Sequence, residues 1–130
     1  FTNERVRVSA VPVGHGNLPA LAWRVEAGGK SAVFSGDTNG RGDALARLAQ
    51  GADLFIAHNA VPEGASGIER ELHMDPTTIG QIAHQAQVKH LVLSHRMQRT
   101  LGKEEETLAA LRRYYTGPAQ FANDLDCLTP

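Results

Sequence analysis

Cysteine is nearly absent from this sequence of 130 residues, in which Cys127 is the only one. A single cysteine cannot form a disulfide within the chain, which excludes a disulfide-stapled domain and favours a reducing, cytoplasmic location. Long apolar runs are also lacking: none approaches the ~20 residues of a membrane span, and the first residues lack the apolar core of a signal peptide. We therefore expect a cytoplasmic protein with no membrane partner, in which Cys127 is a small core residue.

An excess of either charge is missing as well. Thirteen basic and fourteen acidic residues leave a formal net charge of −1. This balance disfavours a large nucleic acid or an anionic lipid surface as the partner, although a local basic patch would be compatible with nucleic acid. A chain of this size buries roughly two-thirds of the surface that it exposes when unfolded. We expect one domain over residues 1–130.

Apolar residues recur with strand-like and then helix-like periods along the chain. Strands are predicted over residues 6–13, 20–26, 31–34, 54–57 and 89–94, with one or two more within 118–128. Helices are predicted after an Asp43 cap, from Asp75-Pro76, and from Glu104 to Tyr115, with a long polar loop from Asn59 to Met74. Pro12 indicates that the first strand lies at a sheet edge or ends there. The alternation of strands and helices in the second half predicts an α/β fold.

Three of these strands are followed by a side chain that binds metals well. His15, Asp37 and His95 follow the first, third and fifth predicted strands. Parallel strands end at the same edge of a sheet, so these residues can converge. Two imidazoles and a carboxylate suit zinc, and the two carboxylate oxygens can hold two cations. Each residue alone also fits a turn or a solvated surface, because none has the i, i+2 or i, i+4 spacing of a specific ligand motif.

Four blocks of sequence together resemble a known family. They are "VPVGHGNLPALAWRVEAGGKSAVFSGDT", "ADLFIAHNAV", "HMDPTTIGQIAHQAQVKHLVLSH" and "GPAQFANDL". In order and spacing they are similar to the second half of metallo-β-lactamase-fold hydrolases, within the branch of ribonuclease Z and related phosphodiesterases. The resemblance implies the C-terminal half of an αββα sandwich. It also implies that His15 binds one metal, that Asp37 bridges two, and that His95 binds the second, with two Zn²⁺ expected and Mn²⁺ or Fe²⁺ as alternatives.

The principal ligand cluster of that family, H-x-H-x-D-H, is missing here. No two histidines of this sequence are spaced i, i+2, and three ligands are too few for two zinc ions that each prefer four. We expect the N-terminal half of the fold to lie outside this chain, which begins at Phe1, and to be its partner. The alternative is a protein that has lost the metal site. A half-sandwich exposes one face of its sheet, so a homo-oligomer is also expected.

Other polar residues match the family less completely. His73 matches a histidine that helps protonate the leaving group, so we expect it to act as a general acid. His58 is present, but Asn59 stands where the branch has a glutamate, and an amide cannot stabilise an imidazolium as an anion does. Arg99 lies four residues after His95, where that branch often has an arginine; because Thr100 replaces the expected aromatic residue, a solvated Arg99 is expected. His84 and His90 are expected to be structural.

Two functions of different classes follow from these residues. The first is a metal-dependent hydrolase that uses a metal-bound hydroxide on a phosphodiester or related ester, whether a small molecule or part of a larger one. In it, Asp37 and His73 are the catalytic candidates and His15, Asp37 and His95 the metal ligands. The second is a metal-free structural or interaction module that keeps the half-fold without the chemistry.

Overall fold

The computed structural model describes residues 1–130 as one mixed six-stranded sheet with four α-helices. The strands are β1 (Val6–His15), β2 (Leu18–Ala27), β3 (Lys30–Phe34), β4 (Leu54–His58), β5 (Leu91–Ser94) and β6 (Ala119–Phe121). The helices are α1 (Ala44–Leu48), α2 (Gly67–Leu72), α3 (Pro76–Gln85) and α4 (Glu104–Leu111), and a short 3₁₀ helix covers Gln98–Thr100. None of these helices has the length and apolar character that spanning a membrane requires.

The strands lie in the sheet in the order in which they occur in the chain. Strand β2 is antiparallel to both β1 and β3, and β3 to β6 are parallel to one another. Strand β1 therefore runs in the same direction as β3, β4 and β5, and all four end at one edge of the sheet. Pro12 lies within β1, which is an edge strand as predicted, and edge strands are where a residue without an N–H is tolerated.

The hydrophobic core covers one face of the sheet. Val33, Phe55 and Leu91 are in register on neighbouring strands and are fully buried. The same apolar cluster includes side chains from helices α1, α3 and α4, namely Leu45, Ala46, Ile79, Ile82, Ala83 and Leu111. Because side chains alternate between the two faces of a strand, Trp23 and its neighbour Phe34 point to the opposite face, where both are more than 40% exposed.

Local signals in the sequence locate two of the connections well. The Asp75 carboxylate accepts a hydrogen bond from the Thr78 amide at 2.9 Å, and Pro76 is the first residue of α3, as the predicted cap requires. The turn between β2 and β3 contains Gly28 and Gly29, both with positive φ, which is the backbone that a two-residue hairpin turn needs.

Several predicted features differ from the structure. Helix α2 forms inside the predicted polar loop. None of its six residues is buried, so its sequence has no apolar stripe that would predict a helix. The Asp43 side chain caps no amide of α1 and pairs with Arg47 instead. Helix α4 ends at Leu111, although Tyr115 is buried as expected, and its hydroxyl donates to carbonyls 3.2 Å away. The prediction that Cys127 is a core residue is wrong: Cys127 is exposed beyond the last strand.

Candidate metal centre

Polar side chains from five segments meet at the edge where β1, β3, β4 and β5 end. His15 and His58 are the last residues of β1 and β4, and His95 follows β5 directly. Asp37 follows β3 by three residues, and His73 is the first residue after α2. Of the three residues predicted to converge, His15, Asp37 and His95, the last two are in contact, with His95 Nε2 3.4 Å from Asp37 Oδ1. His58 and His73 join them, and His15 lies further out.

The carboxylate of Asp37 is the centre of this cluster. Its Oδ1 atom lies 2.9 Å from His58 Nδ1, 3.4 Å from His95 Nε2 and 3.7 Å from His73 Nδ1. One ligand atom from each of Asp37, His58 and His95 lies within 4.8 Å of the others. One carboxylate and two imidazoles that close together form a donor set that divalent transition metals accept.

His15 lies at the margin of the cluster. Its ring is 5.2 Å from the ring of His73, centre to centre, in an edge-on arrangement, and it is not among the three residues that share one possible site. His15 Nδ1 lies 2.7 Å from the Leu72 carbonyl oxygen. A carbonyl only accepts hydrogen bonds, so Nδ1 carries the proton, and Nε2 of the neutral ring keeps a free lone pair. Metal-binding histidines commonly have this arrangement.

The backbone around Gly36 explains how Asp37 reaches the centre. Gly36 has a φ of +60°, and a Cβ atom at this position would lie 2.5 Å from the carbonyl oxygen of Leu21. Only glycine combines this conformation with this close approach. The Ser35 hydroxyl donates to the Gly36 carbonyl at 2.8 Å and accepts from the His58 amide at 3.0 Å. The sharp turn thus sets the Asp37 carboxylate next to the end of β4.

His95 also occupies an uncommon backbone conformation. Its φ of +51° lies in the left-handed region, which costs a side-chain-bearing residue about 1 kcal/mol. Residues held in this region concentrate at functional sites, where the surrounding structure compensates for the strain. The conformation turns the chain immediately after β5 and leaves the His95 ring beside that of His58, with 4.7 Å between the ring centres.

Three pKa values in the cluster lie below their ordinary values, that of Asp37 because of its neighbours and those of His58 and His73 mainly because of burial. Burial alone would raise the pKa of Asp37, but the hydrogen bond from His58 and the nearby His95 and His73 outweigh it and hold the pKa below its ordinary value. Burial lowers the pKa of His58, against the opposing effect of Asp37. Burial is also the main reason that the pKa of His73 is lowered, with His15, His95 and Arg99 adding to it. A metal cation requires ionised carboxylates and neutral imidazoles as ligands, and the lowered pKa values of Asp37 and His58 favour these forms.

One buried atom at the centre lacks a hydrogen-bond partner. His73 Nδ1 is shielded from solvent and has no hydrogen-bond partner, and Asp37 Oδ1 is 3.7 Å away from it. Such an atom is costly unless a ligand or ion meets it. Together with the donor set around Asp37, this unpaired nitrogen fits a divalent cation or a substrate atom at this edge.

Four further polar residues named in the sequence analysis have clear positions. Asn59 is fully buried immediately after His58; its amide nitrogen donates to the Val61 carbonyl at 3.3 Å, and its Oδ1 atom has no partner. The expectation of a solvated Arg99 is wrong, because Arg99 donates to the Ala60 carbonyl at 2.7 Å and to a Glu69 carboxylate oxygen at 2.6 Å. His84 is exposed on α3 and His90 is half-buried before β5, and neither belongs to the cluster.

His58 is the member of the centre that sequence reasoning undervalued. Because Asn59 stands where the related branch has a glutamate, the sequence supported a role for His58 only weakly. The signal for His58 was its position: like His15 and His95, it ends an apolar run at the carboxyl end of a strand. This position at the carboxyl end of a strand places His58 at the same edge of the sheet as His15 and His95.

Residues 1–96 match the family profile described as the beta-lactamase superfamily domain. The chain belongs to this family. An uncharacterized protein of Mycobacterium leprae is 34% identical over 90 residues, which cover 69% of this chain and 30% of that protein. The match to the family confirms the resemblance that the four sequence blocks indicated.

Solved structures of the superfamily share the fold. The metallo-β-lactamase fold protein YhfI from Bacillus subtilis aligns with a TM-score of 0.81 and 20% identity over 94% of this chain. The short form of human tRNase Z aligns with a TM-score of 0.76 and 22% identity over 99% of it. The alignments cover 48% and 45% of those two proteins. This chain therefore has the fold of half of a metallo-β-lactamase domain, as predicted, and spans about half the length of the structures it matches.

Proposed function

We propose that this chain is the C-terminal half of a metal-dependent hydrolase that acts on phosphodiesters or related esters. The observation that carries the proposal is the meeting of His58, His73 and His95 around one carboxylate oxygen of Asp37. Structural ion pairs rarely need three imidazoles on one carboxylate. A centre that holds a cation next to a substrate does need them, because each neutral imidazole offers a lone pair to a metal.

Asp37, His58 and His95 are the residues that would hold a first divalent ion, and Asp37 with His15 would contribute to a second. Zn²⁺ is the first candidate for this mixture of nitrogen and oxygen donors, followed by Mn²⁺ or Fe²⁺. When bound, such ions lower the pKa of water toward neutrality and neutralise negative charge on reacting oxygens. These side chains would fill only some of the coordination positions of two metal ions. The remaining ligands would come from the N-terminal half of the fold.

His73 is the candidate proton donor to the leaving group. Its ring borders Asp37, His95 and His15, and Arg99 contributes to its lowered pKa. An anionic substrate beside the ring would raise that pKa, since a negative charge favours the protonated imidazole. His73 would then take up a proton when the substrate binds and release it to the departing oxygen.

The substrate class is supported by similarity and by charge. The chain resembles human tRNase Z and a diphosphatase of the PhnP family, with TM-scores of 0.76 and 0.64. Phosphoryl substrates are therefore the first class to test. The net charge of −1 disfavours a long nucleic acid, whose binding depends on many phosphate contacts.

The partner of this half-fold would cover the exposed face of the sheet. Leu21, Trp23 and Phe34 are 43–45% exposed there, and Trp23 and Phe34 are neighbours on adjacent strands. A contiguous apolar surface of this kind marks an interface. The N-terminal half of the sandwich is the proposed occupant, and a second copy of this chain is the alternative.

The decisive experiment measures bound metal in the product of the full reading frame. We expect about one to two equivalents of zinc, a loss of most of it in Asp37→Ala, and no loss in His84→Ala, which removes an exposed histidine outside the cluster. An Asp37→Ala protein that keeps the parent's metal content would contradict the proposal. A folded parent without any metal, and without an H-x-H-x-D-H segment in its reading frame, would favour the metal-free module instead.

A further inference from the structure

Arg70 lies on α2, in the part of the chain that the sequence predicts as a loop, and its guanidinium group makes four hydrogen bonds. Its Nε atom donates to Asp75 Oδ2 at 3.2 Å, and Nη2 donates to the Thr78 hydroxyl at 2.7 Å. Its Nη1 atom donates to two carbonyl oxygens, those of Asn39 at 2.8 Å and His73 at 3.2 Å. The side chain is 26% exposed, so water competes only partly for these bonds.

These partners lie on the segments that carry the candidate metal centre. Asn39 follows Asp37 by two residues, and His73 belongs to the centre itself. Asp75 and Thr78 form the N-terminal cap of α3, which is anchored in the core. One planar group thus fixes the backbone behind Asp37 and the backbone of His73 against a helix that cannot shift easily. A guanidinium suits this task because its donors have a rigid, forked geometry.

A second set of bonds extends the network to His15. The Asn39 amide donates to the Gly14 carbonyl at 2.7 Å, directly before His15. The Asn39 side chain, which is buried, donates to the Glu71 carbonyl at 2.9 Å. His15 itself donates to the Leu72 carbonyl at 2.7 Å. The last carbonyls of α2, which lack partners within the helix, are therefore satisfied by the segments that carry the centre.

We propose that Arg70 is a positioning residue of the metal centre, which holds the loops of Asp37 and His73 at the separation that ligand binding requires. Partners that hydrogen-bond to metal ligands typically change metal affinity 10- to 100-fold when they are replaced, and Arg70 donates to the Asn39 carbonyl two residues after the candidate ligand Asp37. Arg70 touches no ligand side-chain atom in the structure and acts through the Asn39 and His73 backbone. The proposal rests on the proposed function for the nature of the ligand, but the geometric claim concerns the metal-free protein too.

Arg70→Lys tests the proposal, with Arg41→Lys as the matched control. Arg41 is a neighbouring arginine whose guanidinium pairs only with Glu71, at 2.6 and 2.8 Å, and it is 63% exposed. A lysine has one point of attachment and cannot reproduce four bonds. In the full-length protein we expect Arg70→Lys to keep its far-UV circular dichroism, to bind zinc about 10-fold more weakly, and to change the visible absorption spectrum of the Co²⁺ form. Arg41→Lys should match the parent in all three.

Several outcomes would overturn the proposal. An Arg70→Lys protein with the parent's zinc affinity and Co²⁺ spectrum would do so, and so would an equal loss in Arg41→Lys. If Arg70→Lys does not fold, Thr78→Val is the second variant, since it removes one of the four bonds of Arg70. A Thr78→Val protein with the parent's zinc affinity would also contradict the proposal. Ring NMR signals of His15 and His73 in metal-free protein give a separate readout. They should shift in Arg70→Lys, and their constancy would refute the positioning role even if the parent binds no zinc and the proposed function fails.

Discussion

The Oδ1 atom of Asp37 lies 2.9 Å from Nδ1 of His58, although the two residues are 21 positions apart in the chain. A carboxylate oxygen accepts this hydrogen bond, so the Nδ1 atom of His58 carries the proton and its Nε2 atom keeps a lone pair. The bond therefore fixes the orientation of the His58 ring beside the Asp37 carboxylate.

Replacing His58 should weaken metal binding. In His58→Gln the ring nitrogen is lost, while a polar side chain of similar length remains. We expect zinc affinity to fall at least about 10-fold, measured by competition with a chelating indicator. His84→Gln is the control, because His84 is exposed on α3 outside the cluster. Equal affinities of His58→Gln and the parent would remove His58 from the centre.

Gly36→Ala should destabilise the fold more than a glycine replacement elsewhere with the same backbone conformation. Gly28 has a φ of +58° and open space where a Cβ atom would lie, whereas Gly36 has a φ of +60° and would bring a Cβ atom to 2.5 Å from the Leu21 carbonyl oxygen. We expect Gly28→Ala to cost about 1 kcal/mol from backbone strain alone. Gly36→Ala should cost about 1–3 kcal/mol more, since the overlap adds to the strain.

Urea denaturation of both variants measures the difference. Because the backbone strain is common to the two positions, subtracting the Gly28→Ala effect isolates the cost of the close approach to Leu21. Similar unfolding free energies in the two variants would mean that the turn after β3 relaxes freely, and the sharp Gly36 turn would then not be what places Asp37.

Asp53 should make stability depend on pH in the acid range. The Lys89 ammonium and the Ser31 amide and hydroxyl hold the pKa of Asp53 down to about 2, against an ordinary value of 3.8. A pKa that is lower in the folded state stabilises the fold above the unfolded value, and this contribution disappears as pH falls from about 4 to about 2. Asp53→Asn should therefore be about 1–2 kcal/mol less stable than the parent at pH 7.

The difference in unfolding free energy between the parent and Asp53→Asn should become smaller as the pH falls from about 4 to about 2. Urea denaturation curves recorded at each pH measure it. Asp43→Asn is the control, because Asp43 pairs with Arg47 on the exposed surface, and it should change the stability at pH 7 by less than about 0.5 kcal/mol. If this difference in unfolding free energy is the same at every pH, the ionisation of Asp53 does not cause the pH dependence of stability.

Trp23 reports on the exposed face of the sheet. It is the only tryptophan of these 130 residues and is 44% exposed. If the other half of the fold covers this face, acrylamide should barely quench Trp23 in the full-length protein. The fluorescence difference between the parent and Trp23→Phe isolates its signal. If acrylamide quenches Trp23 of the folded protein as strongly as that of the urea-unfolded protein, the face is exposed to solvent. That result would contradict the proposed occupant.

Short-range chemistry made much of the fold predictable. The cap formed by Asp75 and Pro76, the paired glycines of the turn before β3, and the apolar strands that end in His15 and His95 depend on residues within a few positions of one another. The family resemblance of the sequence blocks extended these local signals to the whole half-domain. Element ends were less accurate, since α4 ends at Leu111 and β1 continues to His15.

Interactions between distant segments were beyond local patterns. Helix α2 has no apolar stripe, and its stability in this position comes from bonds such as that between His15 and the Leu72 carbonyl, 57 residues apart. The fourfold use of Arg70 and the pairing of Arg99 with Glu69 also depend on how the loops meet. Cys127 is exposed because the chain leaves the core after β6, which its small apolar side chain does not reveal.

The chain's residue order set which side chains stand at the ends of strands, because alternation, caps and glycine turns are properties of neighbouring residues. Folding in three dimensions selected which of those side chains share one centre. It drew His58 to Asp37, placed His15 behind His73, and left Nδ1 of His73 without a partner. The physical reason is that a hydrogen bond or a metal site depends on distances of a few ångströms, and for residues tens of positions apart only packing of the whole sheet sets those distances.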